Sequence, residues 1–422
     1  MKKTVLKNYA ALIARAGVNV QKGQPVMIYA QTDQPEFVKY VVEQCYRCGA
    51  SKVMVEFDYQ PLTALHVRYR SLKTLSSLED WEIKRLEWRA EHLPCMIYLL
   101  SEDPDGLKGM NQKKYSRATQ AKYPIIKPFR DRMDNRYQWC IAAVPGADWA
   151  KKMFPHMRTS AAIEKLWQAI LYTSRALEDP IAAWEAHNRE MSARCAYLNN
   201  LHIKTLEYHA KNGTDLRVGL IDDGLFLGGA EQTLQGVTFN ANIPSEEVFT
   251  SPMRGKAEGI VYSSRPLSYR GELIENFSIR FKDGCVSEVH AEKNEALLQQ
   301  MVHMDDGAAH LGECALVPYD SPIRNSNLTF YNTLFDENAA CHLALGEGFT
   351  NTIRHYENYT KEELHQKGIN ESMIHEDFMI GTEDLQILAH TIDGNTVELF
   401  RNGNWAFDVD TTLEPDIKSS HC

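Results

Sequence analysis

Two histidines and three acidic residues in the C-terminal half of the chain have side chains suited to binding metal ions. They are Glu247, Glu313, His342, His375 and Asp377, each in a short and uncommon sequence context. Imidazole nitrogens and carboxylate oxygens suit divalent zinc, cobalt or manganese. Three carboxylates opposite two divalent cations leave a net positive site, which can lower the pKa of a water molecule. The set therefore predicts two divalent metal ions that share a carboxylate, and a hydrolytic reaction.

The spacing of His375 and Asp377 predicts that both side chains reach one cavity. The two residues are separated by a single position and lead into the apolar segment 378–380. On a strand, residues two apart face the same side, so Glu376 between them would point away. The segment 375–381 is therefore predicted to be a buried strand that presents two ligands.

Two further acidic positions are predicted to lie at or near strands. Glu246 and Glu247 are adjacent, so in an extended segment only one of them can face a given cavity. Glu313 follows Gly312 and opens an apolar run, which predicts a carboxylate at the start of a strand.

His342 is predicted to lie on a helix. Asp336 is a suitable N-cap, and Ala339, Ala340 and Leu343 are good helix formers. A single histidine on an apolar helix is more often a core residue than a ligand, so this pattern alone leaves both roles open.

Composition limits the classes of protein and of partner. The formal net charge of −10 and the lack of a dense run of Lys and Arg argue against a nucleic-acid partner. The N-terminus has no apolar signal core, and no stretch of ~18 apolar residues occurs. We therefore expect a cytoplasmic protein without a membrane partner, in which the nine scattered cysteines are reduced thiols.

The chain of 422 residues is predicted to have an α/β fold made of two unlike domains. Four short apolar strands that alternate with helices favour parallel pairing in an open α/β domain over residues 1–155. These strands are predicted at 25–30, 52–57, 96–100 and 139–144. No glycine-rich nucleotide motif follows them. A helical connector is expected at 156–196. Hairpin turns and mixed elements then predict a C-terminal α+β metal-binding domain at 197–422.

Several long segments resemble the thermophilic-type metallo-aminopeptidases, the family that includes aminopeptidase T and aminopeptidase S. The clearest is Asn-Thr-Leu-Phe-Asp-Glu-Asn-Ala-Ala-Cys-His-Leu-Ala-Leu-Gly. This segment and the others occur in the family's order at 244–250, 266–277, 317–323, 332–346 and 375–381. The resemblance implies peptide substrates, a homodimer and a site of two divalent metal ions. By the same resemblance, the family's ligands fall on Glu247, Glu313, His342, His375 and Asp377.

The resemblance implies hydrolysis that removes N-terminal residues from short peptides. One metal ion would polarise the scissile carbonyl, and a water molecule of lowered pKa would attack it. A carboxylate must take the proton and return it. Glu313 is predicted to be that base, with Glu247 or Asp377 as the shared ligand, but spacing alone does not assign the shared ligand.

Phe349 departs from the family pattern, which has a tyrosine seven residues after the histidine that corresponds to His342. A tyrosine hydroxyl could donate a hydrogen bond to the developing oxyanion, and loss of one such donor can cost about 10²–10³ in rate. Tyr319, Tyr331 or Tyr356 could compensate. Two alternatives therefore stay open: a metal-binding or peptide-binding homologue without catalysis, and an enzyme that hydrolyses a different amide.

Overall fold

Short apolar segments in the first part of the chain form a parallel sheet. The computed structural model describes residues 1–411, so residues 412–422 of the predicted C-terminal domain lie outside the described residues. The sheet contains, in order across it, Asn242–Ile243, Trp139–Ala143, Cys95–Leu100, Pro25–Gln31 and Lys52–Asp58. All neighbouring strands in this sheet are parallel. Parallel strands need long crossover connections, which helices usually provide. The four strands predicted for this region are confirmed, and the short strand at 242–243 adds a fifth from much later in the chain.

The described chain forms two compact units. The first comprises Met1–Trp184, Ala230–Pro244 and Arg270–Glu272, and the second comprises Glu185–Gly229, Ser245–Tyr269 and the described residues from Leu273 onward. Helices of the first unit are Lys3–Leu12 with a π-helical extension at Ile13–Gly17, Pro35–Arg47, Pro61–Tyr69, Leu72–Ser76, Asp80–His92, Gln112–Met133, Ala147–Met153 and Thr159–Thr173. The first unit also has the small hairpin Glu231–Gln232 and Thr238–Phe239. The long helix Pro180–Asn200 begins in the first unit and continues in the second.

Over residues 1–411, the cysteines are free thiols and the helices do not suit a membrane span. The eight cysteines in this range are free, and burial raises the pKa of Cys45, in the helix Pro35–Arg47, to about 12. A thiol with so high a pKa is a poor nucleophile. In the same range, none of the helices has the length and apolar character that a membrane span needs.

A nine-stranded sheet, called here the long sheet, forms much of the second unit. Its strands are Ile203–His209, Asp215–Leu220, Pro252–Tyr262, Leu267–Tyr269, Glu272–Lys282, Cys285–Lys293, Gln386–Thr391, Thr396–Arg401 and Asn404–Trp405. The predicted hairpin turns are confirmed at Gly213 and Gly284, both of which have positive φ angles of the kind that glycine tolerates. Short helices of this unit are Glu295–Val302, Pro322–Asn325, Thr333–Asp336 and Lys361–Lys367.

A second sheet, called here the short sheet, contains most of the predicted ligands. Its five antiparallel strands are, in order, His375–Met379, His342–Gly346, Leu311–Leu316, Val248–Thr250 and Leu227–Gly228. One face of the short sheet presents Cys314, Leu343, Leu345 and Phe378, which are fully or almost fully buried in the main hydrophobic core of the unit. This apolar face fixes the sheet and leaves the opposite face for other chemistry.

The prediction that His342 lies on a helix is wrong. His342 opens the strand His342–Gly346, and the preceding helix Thr333–Asp336 is capped by Asn332 instead of Asp336. The helix formers Ala339 and Ala340 lie in or beside a single 3₁₀ turn, Glu337–Ala339. Helix propensity is a weak preference, and here the pairing of the strand with neighbours on both sides outweighs it.

An irregularity at Gly312 turns Glu313 away from the core. The register between Leu311–Leu316 and His342–Gly346 shifts between Leu311 and Glu313. Two residues apart on a regular strand, Leu311 and Glu313 would face the same side, but Leu311 is in the hydrophobic core. The extra residue of a β-bulge reverses this alternation and presents the carboxylate of Glu313 on the other face. A side chain at Gly312 would meet the carbonyl oxygens of Glu347 and Gly346 at 2.3 and 2.4 Å.

We expect Gly312→Ala to destabilise the second unit by about 3 kcal/mol, because a methyl group there would displace backbone that cannot give way. Denaturant unfolding followed by tryptophan fluorescence would measure the change. Gly348→Ala is the matched control, since its nearest neighbour would be at 3.3 Å and a small adjustment suffices. Equal destabilisation by both substitutions would contradict the role given to Gly312.

Candidate metal centre

The strand register places three predicted ligands on one face of the short sheet. Gly346 lies opposite His375, and Ala344 lies opposite Asp377. Residues directly opposite each other in an antiparallel pair share a face, and so do residues two apart on one strand. His342, Ala344 and Gly346 therefore alternate along this face, which also presents His375 and Asp377. The prediction that His375 and Asp377 lie two apart on one strand is confirmed.

Glu313 lies on the same face, one strand farther across the sheet. It is opposite Ala344, and Ala344 is in turn opposite Asp377. Ala315, also on this face, is opposite His342. The positions between the ligands are therefore occupied by alanine, whose small side chain leaves room between the carboxylates for a cation.

Glu247 comes to the site from the segment before the strand Val248–Thr250. Its Oε2 atom lies 3.2 Å from Nε2 of His342. The buried amide of Asn338 holds this segment, because its Oδ1 atom accepts a hydrogen bond of 2.6 Å from the backbone N–H of Glu246. Among the described residues, Glu247 belongs to a group of possible metal ligands and Glu246 does not.

Five predicted ligands come together as two groups that share one residue. Within each group, one donor atom from each residue lies within 4.8 Å of the others. The first group is Glu247, Glu313 and His342, and the second is Glu313, His375 and Asp377. Glu313 is the residue common to both, so this geometry favours Glu313 as the shared ligand.

The orientation of both imidazoles suits metal binding through Nε2. Nδ1 of His375 donates to the carbonyl oxygen of Glu347 at 2.7 Å, and Nδ1 of His342 is 3.3 Å from that of Ala340. A carbonyl oxygen can only accept, so Nδ1 carries a ring proton, and Nε2 is the nitrogen that faces the carboxylates and is left for a metal ion. Oδ1 of Asp377 is buried without a hydrogen bond, 3.3 Å from Nε2 of His375. A cation would satisfy that oxygen, so the donor set fits divalent metal ions.

Burial and mutual charge strongly perturb the acidic groups of the site. Burial, together with the charges of Asp377 and Glu247, raises the pKa of Glu313 to about 7, although His375 opposes this rise. Burial also acts to raise the pKa of Asp377, but the neighbouring charge of His375 outweighs it and lowers that pKa to about 2. Asp377 is therefore stabilised as an anion, while Glu313 holds a proton more readily.

The imidazoles respond to the same carboxylates. Burial acts to lower the pKa of His342, but the hydrogen bond and charge of Glu247 outweigh it and raise the pKa to about 9. The pKa of His375 is well above its usual range because the charges of Asp377 and Glu313 overcome the effect of burial. Positive charge at the centre of this site is thus favoured by its surroundings, as a cation site requires.

Phe349 lies directly beside the site. Its ring centroid is 4.8 Å from that of His375 and 5.2 Å from that of Phe249. Its backbone N–H donates to Oγ of Ser251 at 2.8 Å, which fixes the loop after the strand His342–Gly346. The residue at which the sequence departs from the expected tyrosine is therefore in ring contact with His375, one of the predicted metal ligands.

Tyr319, considered above as a substitute for the missing hydroxyl, lines a different cavity. That cavity, of about 310 Å³, is also lined by Arg265 and Arg324 and by none of the five predicted ligands. The Tyr319 hydroxyl accepts a hydrogen bond from the guanidinium of Arg324. This geometry does not support a role for Tyr319 beside the ligands.

Glu337 is an acidic residue of the site that the sequence analysis did not single out. It is 8% exposed, and burial together with the charges of Asp377, Glu247 and Glu313 raises its pKa well above the usual range. The sequence feature that could have drawn attention to Glu337 is its position five residues before His342, within the triplet Asp-Glu-Asn. Because that segment was expected to be a helix, its acids were considered for capping and not for the site.

The fold and the site together define a metal-dependent hydrolase. The chain matches the model of the thermophilic metalloprotease family (M29) over residues 2–405, and it belongs to this family. It is 39% identical over 404 residues to aminopeptidase AmpS of Bacillus subtilis (strain 168), which covers 95% of this chain and 98% of that protein. It is 37% identical over 402 residues to aminopeptidase T of Thermus aquaticus, with coverage of 95% and 98%.

A solved structure shares the architecture. Wild-type AmpT from Thermus thermophilus superimposes with a TM-score of 0.87 at 36% sequence identity, covering 96% of this chain and all of that one. The mixed α/β fold and the resemblance stated from the sequence are thereby confirmed. The predicted class of enzyme, a metal-dependent hydrolase acting on peptide bonds, is that of the family.

If Glu313 is a ligand of both metal ions, substituting it should change the number of ions bound per chain differently from substituting His342. His342→Ala should lower the number of bound zinc or cobalt ions by one, whereas Glu313→Gln should weaken both sites because both groups lose a ligand. Elemental analysis of dialysed protein would measure this. His303→Ala is a suitable control, since Nδ1 of His303 donates to the helix carbonyl of Gln299. Glu313→Gln protein that retains the wild-type metal content would contradict the shared position.

Proposed function

We propose that this protein is a metal-dependent aminopeptidase that removes N-terminal residues from short peptides with the help of two divalent cations. The observation that carries the proposal is the pair of ligand groups sharing Glu313 on one buried face of the short sheet. Membership of the metalloprotease family supports the metal dependence, and the names of its relatives support the exopeptidase activity. Zinc, cobalt and manganese all suit nitrogen and carboxylate ligands, so availability would decide which ion is bound.

The proposed ligands are Glu247, Glu313 and His342 for one cation and Glu313, His375 and Asp377 for the other. Bound cations supply Lewis-acid chemistry, because they polarise a carbonyl group and lower the pKa of water. The backbone carbonyls of Glu347 and Ala340 keep the imidazoles in the orientation that presents Nε2. The protein thus holds the ligand side chains in fixed orientations and shields the site from bulk water.

Glu313 as the proton acceptor stays a prediction. A carboxylate in this role must take a proton from the attacking water and return it to the leaving amine. The place of Glu313 in both ligand groups means that Glu313→Gln changes two functions at once. Retained metal content with lost turnover would support the base, whereas lost metal content would indicate the ligand role.

The burial of the site supports short or unstructured substrates. The side chains of His342, Glu313 and Glu247 are 1%, 5% and 11% exposed, whereas that of His375 is 25% exposed. A peptide bond must reach these groups from the His375 side, and an extended chain terminus is thin enough to do so. A homodimer and a cytoplasmic location, expected from the sequence, stay predictions.

Two other functions were open from the sequence, and Phe349 was the reason. A homologue that binds metal or peptides without catalysis would retain the ligands, as this chain does, so the ligands do not favour it over the enzyme. Hydrolysis of another amide would use the same cations. Neither alternative has an observation of its own in its favour.

We expect purified protein to hydrolyse aminoacyl-p-nitroanilides only when a divalent cation is bound. Chelation should reduce turnover below detection, and zinc, cobalt or manganese should restore it, because the reaction depends on the cation's charge. Initial rates over a panel of N-terminal residues would measure activity and specificity together. Acyl-p-nitroanilides without an amino group are the comparison. Turnover that survives complete metal removal would refute the proposal.

We expect Phe349→Tyr to raise kcat by about 10-fold or more, because it places a hydroxyl donor next to His375 where an oxyanion could accept it. Metal content should not change. Phe249→Tyr is the matched control, since it adds the same group to the adjacent ring. If both variants behave like the wild type, the hydroxyl at position 349 has no part in the rate of this enzyme.

A further inference from the structure

Two arginines with few partners line the cavity beside Tyr319. This cavity, called here the arginine cavity, has a volume of about 310 Å³ and is lined by residues of the second unit alone. Arg265, Arg324 and Ser264 are among them. None of the five predicted metal ligands lines it, so metal binding does not account for its arginines.

The guanidinium of Arg265 is poorly paired for a side chain that is only 13% exposed. Within residues 1–411, its one hydrogen bond runs from Nη1 to Oδ1 of Asp336 at 3.5 Å, which is long for a contact between opposite charges. The carboxylate of Asp336 already accepts the backbone N–H groups of Phe330 and Asn332, at 2.9 and 3.1 Å. Because a guanidinium has five N–H donors and stays charged in proteins, most of the capacity of Arg265 is left for a ligand.

The guanidinium of Arg324 has no acidic partner in the part of the chain that the structure describes. It donates to the hydroxyl of Tyr319 and lies 4.6 Å from the centroid of that ring, so it is held in place without being neutralised. Burial lowers the pKa of Arg265, and the positive charge of Arg324 adds to this effect, although Asp336 opposes it. The cavity therefore contains more positive charge than Asp336 compensates.

The acidic residues on the wall of the cavity leave the arginines available. Asp384 accepts hydrogen bonds from the backbone N–H of Lys211 and the hydroxyl of Thr382, both at 2.8 Å. Glu383 is exposed to solvent, and over residues 1–411 neither acid forms an ion pair with either arginine. The hydroxyl of Ser264 is buried and makes no hydrogen bond in the same range. The free polar groups of the cavity are thus donors, which suit an anion whose oxygen atoms accept.

A carboxylate is the anion that matches these donors in shape. The planar fork of a guanidinium donates two parallel hydrogen bonds to the two oxygens of a carboxylate. The cavity is also large enough to admit the short length of chain that carries such a group.

The arginine cavity continues the face of the short sheet that presents the predicted ligands. His342 is opposite Met379 on that face. Ala340 and Gly381, each two residues away from this pair, line the cavity. A side chain at Gly381 would meet Cβ of Ala340 at 2.8 Å, so the two positions point the same way. Two residues of a strand span about 7 Å, so the cavity begins about that far from His342.

An extended peptide bound at the metal centre can cover this distance. Its backbone advances about 3.3 Å per residue, so the C-terminal carboxylate of a tripeptide lies about 7 Å beyond the scissile carbonyl. In a tetrapeptide the separation is about 10 Å. The arginines therefore lie where the far end of a tripeptide or tetrapeptide would be.

We propose that Arg265 and Arg324 bind the C-terminal carboxylate of short peptide substrates, so that the arginine cavity selects tripeptides and tetrapeptides with a free C-terminus. The inference rests on the proposed aminopeptidase function and adds the groups that recognise the opposite end of the substrate. Arg324 is the better position for a test, because Arg265 also contacts Asp336.

The test compares peptides that differ only at the C-terminus. For metal-loaded wild type, kcat/KM should be about 10-fold or more higher for Leu-Gly-Gly and Leu-Gly-Gly-Gly than for their C-terminal amides, because the acids form a charge-assisted hydrogen bond. Arg324→Gln should abolish this preference, with the loss for the acids mainly in KM. Arg324→Lys retains the charge without the planar fork, so it should keep part of the preference.

A matched control and a metal measurement make the result specific. Arg280→Gln also removes a guanidinium, but Arg280 lies on the long sheet, pairs with Glu288 and does not line the cavity. This variant should retain the wild-type preference for the free acids, and all variants should bind as much metal as wild type. Equal cleavage of acids and amides by wild type would overturn the proposal, and so would an unchanged preference in Arg324→Gln.

Direct binding separates this inference from the proposed function. Calorimetry with metal-loaded protein would compare acetyl-Gly-Gly with its C-terminal amide, which both lack the free amino terminus that an aminopeptidase needs. Tighter binding of the acid to wild type, lost in Arg324→Gln at unchanged metal content, supports the carboxylate site even if no peptide is cleaved. If the tighter binding persists in Arg324→Gln, the carboxylate is bound by the cations and the proposal is wrong. Binding of inorganic phosphate that depends on Arg324, without any preference among the peptides, would indicate a general anion site and would equally overturn it.

Discussion

The burial of four carboxylates and two imidazoles on and beside one face of a sheet is the constraint on which the second unit depends. Each buried carboxylate costs several kcal/mol of desolvation, which must be recovered from partners of opposite charge. Imidazoles at 3.0 to 3.3 Å provide part of this compensation. Protonation of Glu313, whose pKa is raised to about 7, removes part of the cost, and divalent cations between the predicted ligands would supply further positive charge.

Such a face can exist only because the opposite face is largely apolar and the intervening positions are small. Leu343 and Leu345 anchor the central strand in the core, while His342 and Ala344 alternate with them on the other side. The bulge at Gly312 is needed because Leu311 and Glu313 must face opposite ways. Backbone geometry, as much as the ligand residues themselves, therefore determines the site.

The sequence predicted well what depends on local periodicity. The strand that presents His375 and Asp377 follows from their spacing and the apolar residues after them, and the parallel strands of the first unit follow from short apolar runs. The helix predicted at His342 was wrong because the nearby alanines favour a helix, whereas the strand depends on non-local pairing. Glu337 was missed for a related reason: spacing does not show which acid of a turn faces inward. The strand Asn242–Ile243 pairs with residues a hundred positions earlier, which no local pattern reveals.

Phe349, where the family resemblance implies a tyrosine, changes the ring beside His375 but not the main-chain support of the predicted ligands. His375 is oriented by the carbonyl of Glu347, and the loop that bears this carbonyl is fixed by the hydrogen bond from the backbone of Phe349 to Ser251. Both contacts use main-chain atoms at the loop, so either phenylalanine or tyrosine can maintain them. The main-chain support of the predicted ligands therefore does not depend on a hydroxyl at position 349, so membership of a metalloprotease family and a phenylalanine at this position are compatible in a single chain.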